Sequence, residues 1–362
     1  MLYWIEMKAK RFLGMLGAPR TVLSIVTVIV LGLVIYFSRH ELEKAWGLLG
    51  QANVTLLLLL IPLQIGVYYA GGEMIFSYLR SKRLIHHVSR WEQARIALEL
   101  NLVNHIFPSG GISGISYTTW RMHKLGVSTA SSTFAQLVRY IAGFVAMMGV
   151  LVIAVAILAL DGQVNRYIVS ASFLLITGVI MLTAVVMFMF SSRARMRKIA
   201  SWITQMANGS VRRLTFGRHQ QVMDGEKTGK FFSEMYDDFR EMAENRHMVM
   251  KPLFWGVVYA VFDVTMFVVS FWALGTSVNP AVVLIGYVVA GTIGNVSPTP
   301  GGAGAYEATM VLFLSLAGVA PNVAIAGVLL TRVILLTGTI IFGYIFYQHA
   351  LIKYGKPRDA AF

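Results

Sequence analysis

Long apolar segments alternate with polar ones along most of the chain. Each of the apolar segments is long enough for a helix that crosses the hydrocarbon core of a bilayer, which takes about 20 residues. Six such segments are predicted to be transmembrane helices, at 21–37, 53–79, 129–160, 167–190, 252–275 and 322–347. The hydrophobic pattern therefore predicts an all-α polytopic membrane protein with six full spans.

Two further apolar segments are interrupted by proline and glycine. Residues 96–107 run into PSGGISG at 108–114, and residues 282–297 run into PTPGGAGAYE at 298–307. Proline removes a backbone donor, and glycine lowers helix propensity. Irregular backbone at membrane depth is tolerated only where it is buried in protein or lines a water-filled cavity. We therefore predict two re-entrant helical hairpins, 96–107/112–124 and 282–297/303–318.

The two interrupted regions belong to an internal repeat with an offset of 190 residues. The offset pairs Gly66, Val67, Tyr69 and Ala70 with Gly256, Val257, Tyr259 and Ala260, Glu73 with Asp263, Pro108 with Pro298, and Gly111 with Gly301. Three inserted residues later, Arg139 corresponds to Arg332. One predicted span separates the copies, which cover about 60–160 and 250–348, so they are expected to be inverted. Inverted-topology repeats are typical of secondary transporters.

The basic residues predict the orientation of the chain. Twenty-six of the 31 lysines and arginines fall on one side if the N-terminus is cytoplasmic. Cytoplasmic loops carry an excess of these residues, so both termini are predicted to be cytoplasmic. The remaining parts are a cytoplasmic interfacial segment at 1–20, a single membrane domain at 21–348 containing a basic and amphipathic cytoplasmic loop at 191–251, and a cytoplasmic tail at 349–362. Within that loop, the sequence from 231 to 248 is typical of an amphipathic surface helix.

Composition excludes several classes of protein. The chain is 56% hydrophobic and only 13% charged, against about 25% charged in soluble domains. The net charge of +14 is therefore assigned to membrane topology, and no nucleic-acid partner is expected. Without cysteine the chain has no thiolate metal site and no cysteine nucleophile. We predict no metal and no cofactor.

The candidate site combines buried charges with the glycine-rich breaks. Arg139 and Arg332 are predicted to lie about 15 Å along their spans, where ionisable side chains face a cavity or a partner. The short helices after the breaks present free N–H groups, which together with arginine suit a phosphate. The predicted substrate-binding residues are Arg139, Arg332, Glu307, Asp263, Glu73, Gly110, Gly111, Pro298, Pro300, Gly301, Gly302 and Gly304.

The roles of these charges have alternatives. Arg139 and Arg332 either contact a ligand or pair with Glu307 and Asp263 to lock the repeats together. The acidic residues balance the arginines, bind a cationic headgroup or carry a coupling proton. His105 has no counterpart in the second copy, so a hydrogen-bonded interior histidine is the favoured interpretation.

The segments NHIFPSGGISG and NVSPTPGGAGAYEA, the latter followed by a span with a central arginine, resemble the lysylphosphatidylglycerol synthase transmembrane-region family over about 50–348. The resemblance implies a bacterial inner-membrane protein that moves a phospholipid or related amphiphile between leaflets. It assigns Pro298, Pro300, Gly301, Gly302, Gly304 and Glu307 to the lipid-handling centre, with Arg332 beside it. Full-length synthases add a soluble aminoacyl-transfer domain that this sequence lacks, so we expect no enzyme activity.

The favoured hypothesis is a flippase or transporter that moves an anionic or phosphate-bearing lipid through a midplane cavity between the two hairpins. One alternative is a membrane-embedded enzyme that acts on a polyprenyl-phosphate or phospholipid, with Glu307 or Asp263 as base. Another is an accessory scaffold that binds lipid. Membrane lipids are the expected partners, and a homo-oligomer is left open. A Walker A motif is absent, so ATP is not predicted to drive the process.

Overall fold

The structure is a computed structural model. It describes residues 50, 52–106, 112–160, 166–214, 223–297, 299 and 302–355. Within these residues the regular secondary structure is all helical, as predicted. The helices are α1 (Val54–Ser81), α2 (Arg90–Ile106), α3 (Ile112–His123), α4 (Thr129–Leu160), α5 (Arg166–Phe190), α6 (Arg193–Leu214), α7 (Gly225–Glu244), α8 (Arg246–Ala273), α9 (Pro280–Val296), α10 (Ala305–Leu316) and α11 (Pro321–Tyr354).

Five helices of the described chain are long and apolar enough to cross a membrane, namely α1, α4, α5, α8 and α11. They coincide with five of the six predicted spans. The sixth predicted span, 21–37, lies outside the described residues, as does the interfacial segment 1–20. Helices α9 and α10 are apolar but too short to cross a bilayer in one pass.

The apolar surface of α5 shows why this protein belongs in a membrane. Phe173 and Leu174 are 70% and 73% exposed, and Ile180 and Phe188 are each 62% exposed. Leaving such surface in water costs about 25 cal/mol per Å² of apolar area. Lipid acyl chains are the solvent that suits it, so α5 is a lipid-facing span.

The chain divides into two compact units. Of the described residues, the first unit contains 52–65, 94–117 and 264–355. In this unit the backbone N–H of Asn53 donates to the Ala273 carbonyl at 2.8 Å, and Gln64 Nε2 donates to the Leu335 carbonyl at 2.9 Å. These bonds fasten the start of α1 to the end of α8 and to the middle of α11.

The second unit contains residues 66–93 and 118–263, and a line of aromatic rings forms part of its core. Tyr78 on α1 lies 5.6 Å from Phe134 on α4, which lies 5.7 Å from Phe190 on α5. Phe190 in turn lies 5.4 Å from Phe239 on α7, with all distances between ring centroids. The line therefore docks the amphipathic helix α7 against three spans.

An ion-pair cluster strengthens the docking of α7. Lys82, directly after α1, pairs with Asp238 and with Glu241, the latter at 2.7 Å. Burial alone lowers the pKa of Lys82, but the hydrogen bonds and charges of the two carboxylates outweigh it and raise the pKa above its usual value. The lysine is therefore firmly protonated at neutral pH.

Helix α7 contains most of the amphipathic helix predicted from 231 to 248, but it begins earlier and ends earlier. Asp224 caps its N-terminus by accepting the Glu226 N–H at 2.8 Å. Asn245 is extended, with φ −120° and ψ 98°, and separates α7 from the span α8. The cap residues thus explain both boundaries.

Candidate functional site

Helices α9 and α10 form an antiparallel hairpin within the first unit. A Cβ placed on Gly294, near the end of α9, would lie 3.3 Å from Tyr306 Cβ, near the start of α10. A Cβ on Gly286, earlier in α9, would lie 3.0 Å from Met310 Sδ, later in α10. The small residues of α9 therefore allow close approach of the two helices along their whole contact.

The turn of this hairpin requires glycine. Gly302 has φ +72°, and a Cβ there would lie 2.7 Å from the Gly294 Cα, closer than any side chain allows. Gly304, directly before α10, has φ +83°. Thr299 Oγ1 donates to the Ala303 carbonyl at 2.9 Å, which closes the turn with a side-chain hydrogen bond.

Glu307 is the central acceptor at the start of α10. Its Oε2 accepts the Gly304 N–H at 2.6 Å, and its Oε1 accepts the Nε–H of Arg332 at 2.7 Å. The Arg332 guanidinium also lies over the Tyr306 ring, with Cζ 4.4 Å from the ring centroid. The carboxylate therefore connects the N-terminus of α10 to α11, and the helix dipole favours its negative charge.

This pair lies deep in an apolar region. Arg332 follows the first residue of α11, Pro321, by 11 residues, which is about 16 Å of helix. The side chains of Glu307 and Arg332 are only 15% and 21% exposed. Charges so placed are costly unless paired, and they usually mark a functional site.

Helices α2 and α3 form a second antiparallel hairpin. A Cβ on Gly114 in α3 would lie 2.0 Å from Asn104 Oδ1 in α2. Further from the turn, Tyr117 donates from its hydroxyl to Glu99 Oε2 at 2.8 Å, and Glu99 is fully buried. Both predicted hairpins are thus pairs of antiparallel helices, and their re-entrant placement in the membrane stays a prediction.

A salt bridge near the far end of this hairpin joins Arg121 to Glu92 at 2.5 Å. His105 hydrogen-bonds through Nδ1 with the carbonyl oxygen of Asn101 at 2.8 Å, as expected for an interior histidine.

The other predicted charges lie in the second unit. Glu73 binds Arg80 and Arg90, with 3.1 Å and 3.0 Å between Nη1 and Oε1. Asp263 is 6% exposed. Arg139 Nη1 is buried and has no hydrogen-bond acceptor in the described part of the chain. Arg332 pairs with Glu307, as one of the two interpretations requires, and ligand contact by either arginine stays a prediction.

The family model of the lysylphosphatidylglycerol synthase transmembrane region matches residues 21–343. The chain belongs to this family. It is also similar to a UPF0104 membrane protein of Methanothermobacter thermautotrophicus (strain Delta H), with 23% identity over 235 residues, which are 64% of this chain and 67% of the relative. The resemblance expected from the two glycine-rich segments is confirmed.

The family match includes both hairpins and the Glu307–Arg332 pair. Five of the predicted site residues, Gly110, Gly111, Pro298, Pro300 and Gly301, lie outside the described residues. No group of three His, Asp or Glu side chains that suits a metal ion occurs in the part of the chain that the structure describes.

Arg80 and Arg90, which pair with Glu73, were not among the predicted site residues. The available signal was spacing: Glu73 and Arg80 are seven residues apart, which places them on one face of a helix two turns apart. Arg90 follows a turn, so its approach to Glu73 could not be inferred from helical periodicity.

Proposed function

We propose that this protein moves an anionic or phosphate-bearing lipid between the leaflets of the cytoplasmic membrane, and that the headgroup binds to Arg332 in exchange for Glu307. The observation that carries the proposal is the carboxylate of Glu307, held between the Gly304 N–H and the Arg332 guanidinium. A helix N-terminus and an arginine side by side form an anion site. Glu307 occupies that site as an internal anion.

A lipid phosphate offers the same acceptor chemistry as this carboxylate. Phosphate oxygens accept hydrogen bonds from guanidinium in the same fork geometry as a carboxylate. When Glu307 turns away from Arg332, a headgroup replaces it on the guanidinium. Because one anion is exchanged for another, the arginine is compensated in both states, and no bare cation is left in the hydrocarbon region.

The proposal includes the topology inferred from the sequence. Both hairpins are re-entrant, the two copies are inverted, and both termini are cytoplasmic. Alternate opening of the Glu307–Arg332 site towards the two leaflets carries the headgroup across while the acyl chains remain in lipid. The internal repeat, the distribution of basic residues and the antiparallel build of both hairpins support this arrangement. A gradient, the membrane potential or downhill scrambling supplies the driving force.

Reconstitution into proteoliposomes tests the proposal. Vesicles contain a trace of phosphatidylglycerol with a fluorescent acyl chain, and a membrane-impermeant quencher reports the fraction in the outer leaflet over time. Wild-type protein is expected to accelerate exchange between leaflets. Equal rates in protein-free and protein-containing vesicles, for phosphatidylglycerol and other anionic lipids alike, contradict the proposal.

Two substitutions locate the activity at the proposed site. Arg332→Gln removes the cation and is expected to abolish most of the exchange. Glu307→Gln keeps the shape and an acceptor for the Gly304 N–H but removes the internal anion, so it is expected to alter the rate without unfolding the hairpin. Lys230→Gln, at an exposed position on α7, is the matched control and is expected to behave as wild type.

Cysteine labelling tests the inverted topology separately. The natural chain contains no cysteine, so single cysteines need no prior removal. Lys124→Cys, between the first hairpin and α4, is expected to react with an impermeant maleimide from the cytoplasmic side. Asn322→Cys, at the start of α11, is expected to react from the opposite side. Labelling of both from one side contradicts the inverted arrangement.

A further inference from the structure

A polar cavity of about 350 Å³ lies in the second unit, apart from the Glu307–Arg332 pair. Its volume is within the range of about 300–1,000 Å³ that is common for ligand pockets. Much of its wall is one face of α1, because residues spaced by three or four positions share a helix face. The lining residues are Tyr69, Glu73, Ser77, Arg80, Ser81, Arg90, Lys251 and Trp255.

The cavity carries an excess of positive charge. Glu73 holds the guanidinium groups of Arg80 and Arg90 around its single carboxylate. Lys251 adds a third cation and makes no ion pair with any residue that the structure describes. Three cations and one carboxylate give the cavity lining a net charge of +2, which attracts an anionic ligand.

An unsatisfied hydroxyl lies in the same wall. Ser77 is 3% exposed, and its Oγ has no hydrogen-bond partner among the described residues. Buried polar atoms normally have a partner, and an unmade hydrogen bond is destabilising. An acceptor bound in the cavity supplies the missing partner, so Ser77 is an independent sign of a ligand.

The position of the cavity indicates which ligand it takes. Arg80 and Ser81 are at the end of the span α1, and Lys251 lies near the start of the span α8. Tyr69 and Trp255 meet edge to face, with 5.4 Å between ring centroids, and the neighbouring Phe254 is 60% exposed. Tryptophan and tyrosine concentrate where the headgroups of a bilayer begin. The cavity therefore lies where a lipid headgroup is available.

We propose that this cavity binds the phosphate group of an anionic lipid at the membrane surface. Arg80, Arg90 and Lys251 compensate the phosphate, Ser77 donates a hydrogen bond from its hydroxyl, and Tyr69 with Trp255 contacts the glycerol and upper acyl region. Glu73 is a positioning residue, because it orients two of the three cations. This binding does not depend on transport through the Glu307–Arg332 site.

Equilibrium binding to the purified full chain in detergent tests the assignment. The probes are dioctanoyl phosphatidylglycerol, dioctanoyl phosphatidylcholine and inorganic phosphate, and the readout is the dissociation constant. Lys251→Gln is expected to weaken phosphatidylglycerol binding about tenfold, which corresponds to the loss of one charge-assisted contact. Ser77→Ala is expected to weaken it about threefold. Lys230→Gln, the matched loss of an exposed lysine, is expected to leave it unchanged.

The probes distinguish the sources of the phosphate group. Binding of phosphatidylglycerol but not of inorganic phosphate supports a lipid site. Equally tight, Lys251-dependent binding of inorganic phosphate reassigns the cavity to the free anion and overturns the lipid proposal. Equal dissociation constants for Lys251→Gln and Lys230→Gln overturn the site itself.

A double-mutant cycle separates this cavity from the proposed transport site. The effect of Lys251→Gln on the dissociation constant is measured in wild-type and in Glu307→Gln protein. Equal effects in the two backgrounds are expected for independent sites. An effect that disappears in the Glu307→Gln background contradicts a separate site. Failure of lipid exchange in vesicles leaves this result intact, so the two proposals fail independently.

Discussion

The hairpin α9/α10 and the hairpin α2/α3 have the same antiparallel build, but their polar centres differ. In α9/α10, Glu307 accepts the Nε–H of Arg332. At the offset of 190 residues, Glu307 corresponds to Tyr117, whose hydroxyl instead donates a hydrogen bond to Glu99. Arg139, the counterpart of Arg332, has a buried Nη1 with no acceptor in the described chain. The α9/α10 hairpin therefore has an ion pair with α11 at the position where the α2/α3 hairpin has a tyrosine–carboxyl hydrogen bond.

The acidic counterparts Glu73 and Asp263 have different residues at the positions that follow them. Glu73 pairs with Arg80 and Arg90. The positions 190 residues after these arginines hold Ser270 and Pro280, so neither arginine has a counterpart at this offset. In the predicted repeat, both copies carry a glycine- and proline-rich break, whereas their charged side chains have different partners. Ligand chemistry is thus expected to differ between the copies.

The largest expected effect follows from adding a side chain at Gly302, in the turn between α9 and α10. Gly302→Ala places a Cβ 2.7 Å from the Gly294 Cα at a residue with φ +72°. Overpacking and positive φ together are expected to cost about 3 kcal/mol or more and to separate the helices. Thermal unfolding of the purified protein, followed by circular dichroism, measures the loss.

A glycine on the same hairpin provides the control for this prediction. Gly291→Ala adds a Cβ that meets nothing within 4 Å, and alanine favours the helix. Its melting temperature is expected to equal or exceed that of wild type. In the first copy the position of Gly302 holds Ile112, so only the second turn requires glycine there. Equal melting temperatures for the two alanine variants contradict this account of the turn.

The second prediction compares the two arginines directly. Arg332→Gln leaves the Glu307 carboxylate without its guanidinium in a mostly buried position, and it is expected to destabilise the fold by about 2–3 kcal/mol. Arg139→Gln breaks no ion pair in the described chain and is expected to change stability by less than about 1 kcal/mol. Melting temperatures of the two variants, measured in the same detergent, test the difference.

The double variant Glu307→Gln with Arg332→Gln controls for the loss of one partner. Removing both charges leaves two neutral groups that hydrogen-bond to each other, so the double variant is expected to be more stable than Arg332→Gln alone. If Arg139→Gln destabilises as much as Arg332→Gln, the two copies do not differ in how they compensate their arginines.

Much of the fold follows from sequence patterns alone. Length and hydropathy predicted five spans that the structure contains, and the segments PSGGISG and PTPGGAGAYE predicted where the two hairpins turn. These features are local, because proline and glycine act on the backbone where they stand. Helix boundaries near 225 and 245 depend on single capping residues and were less accurate.

The pairing of charges could not be inferred in the same way. Lys82 and Asp238 are 156 residues apart, and the sequence around either residue does not predict its contact with the other. Glu307 and Arg332 were both candidates, but the sequence left pairing and ligand contact as alternatives. Which carboxylate an arginine reaches depends on helix packing and side-chain rotamers. Tertiary structure therefore decides this part of the site.

The third prediction concerns the hydrogen bond between Tyr117 and Glu99 in the α2/α3 hairpin. Tyr117→Phe removes the hydroxyl that donates to the fully buried Glu99. Losing a hydrogen bond to a buried carboxylate is expected to cost about 1–2 kcal/mol. Tyr344→Phe is the matched control, because the Tyr344 hydroxyl makes no hydrogen bond with any described residue. Similar melting temperatures for Tyr117→Phe and Tyr344→Phe would show that the hydrogen bond from Tyr117 to Glu99 does not stabilise the α2/α3 hairpin.

The smallest expected effect is a pH dependence confined to the first copy. Lys82 follows α1, and the corresponding position after the offset holds Trp272, so only the first copy has this cation. Hydrogen bonds and charges of Asp238 and Glu241 outweigh burial and raise the pKa of Lys82 when the protein is folded. Because the pKa is raised in the folded state, protonated Lys82 contributes its full stabilisation below the unfolded pKa of about 10.5. This contribution disappears as the pH rises through the folded pKa. The stability difference between wild type and Lys82→Met is therefore expected to stay constant from pH 7 to about pH 10 and to shrink above it.

Lys230→Met, at an exposed position without an ion pair among the described residues, is expected to show no such difference at any pH. A difference that already shrinks between about pH 7 and 9 would mean that the carboxylates do not hold the lysine in its charged form.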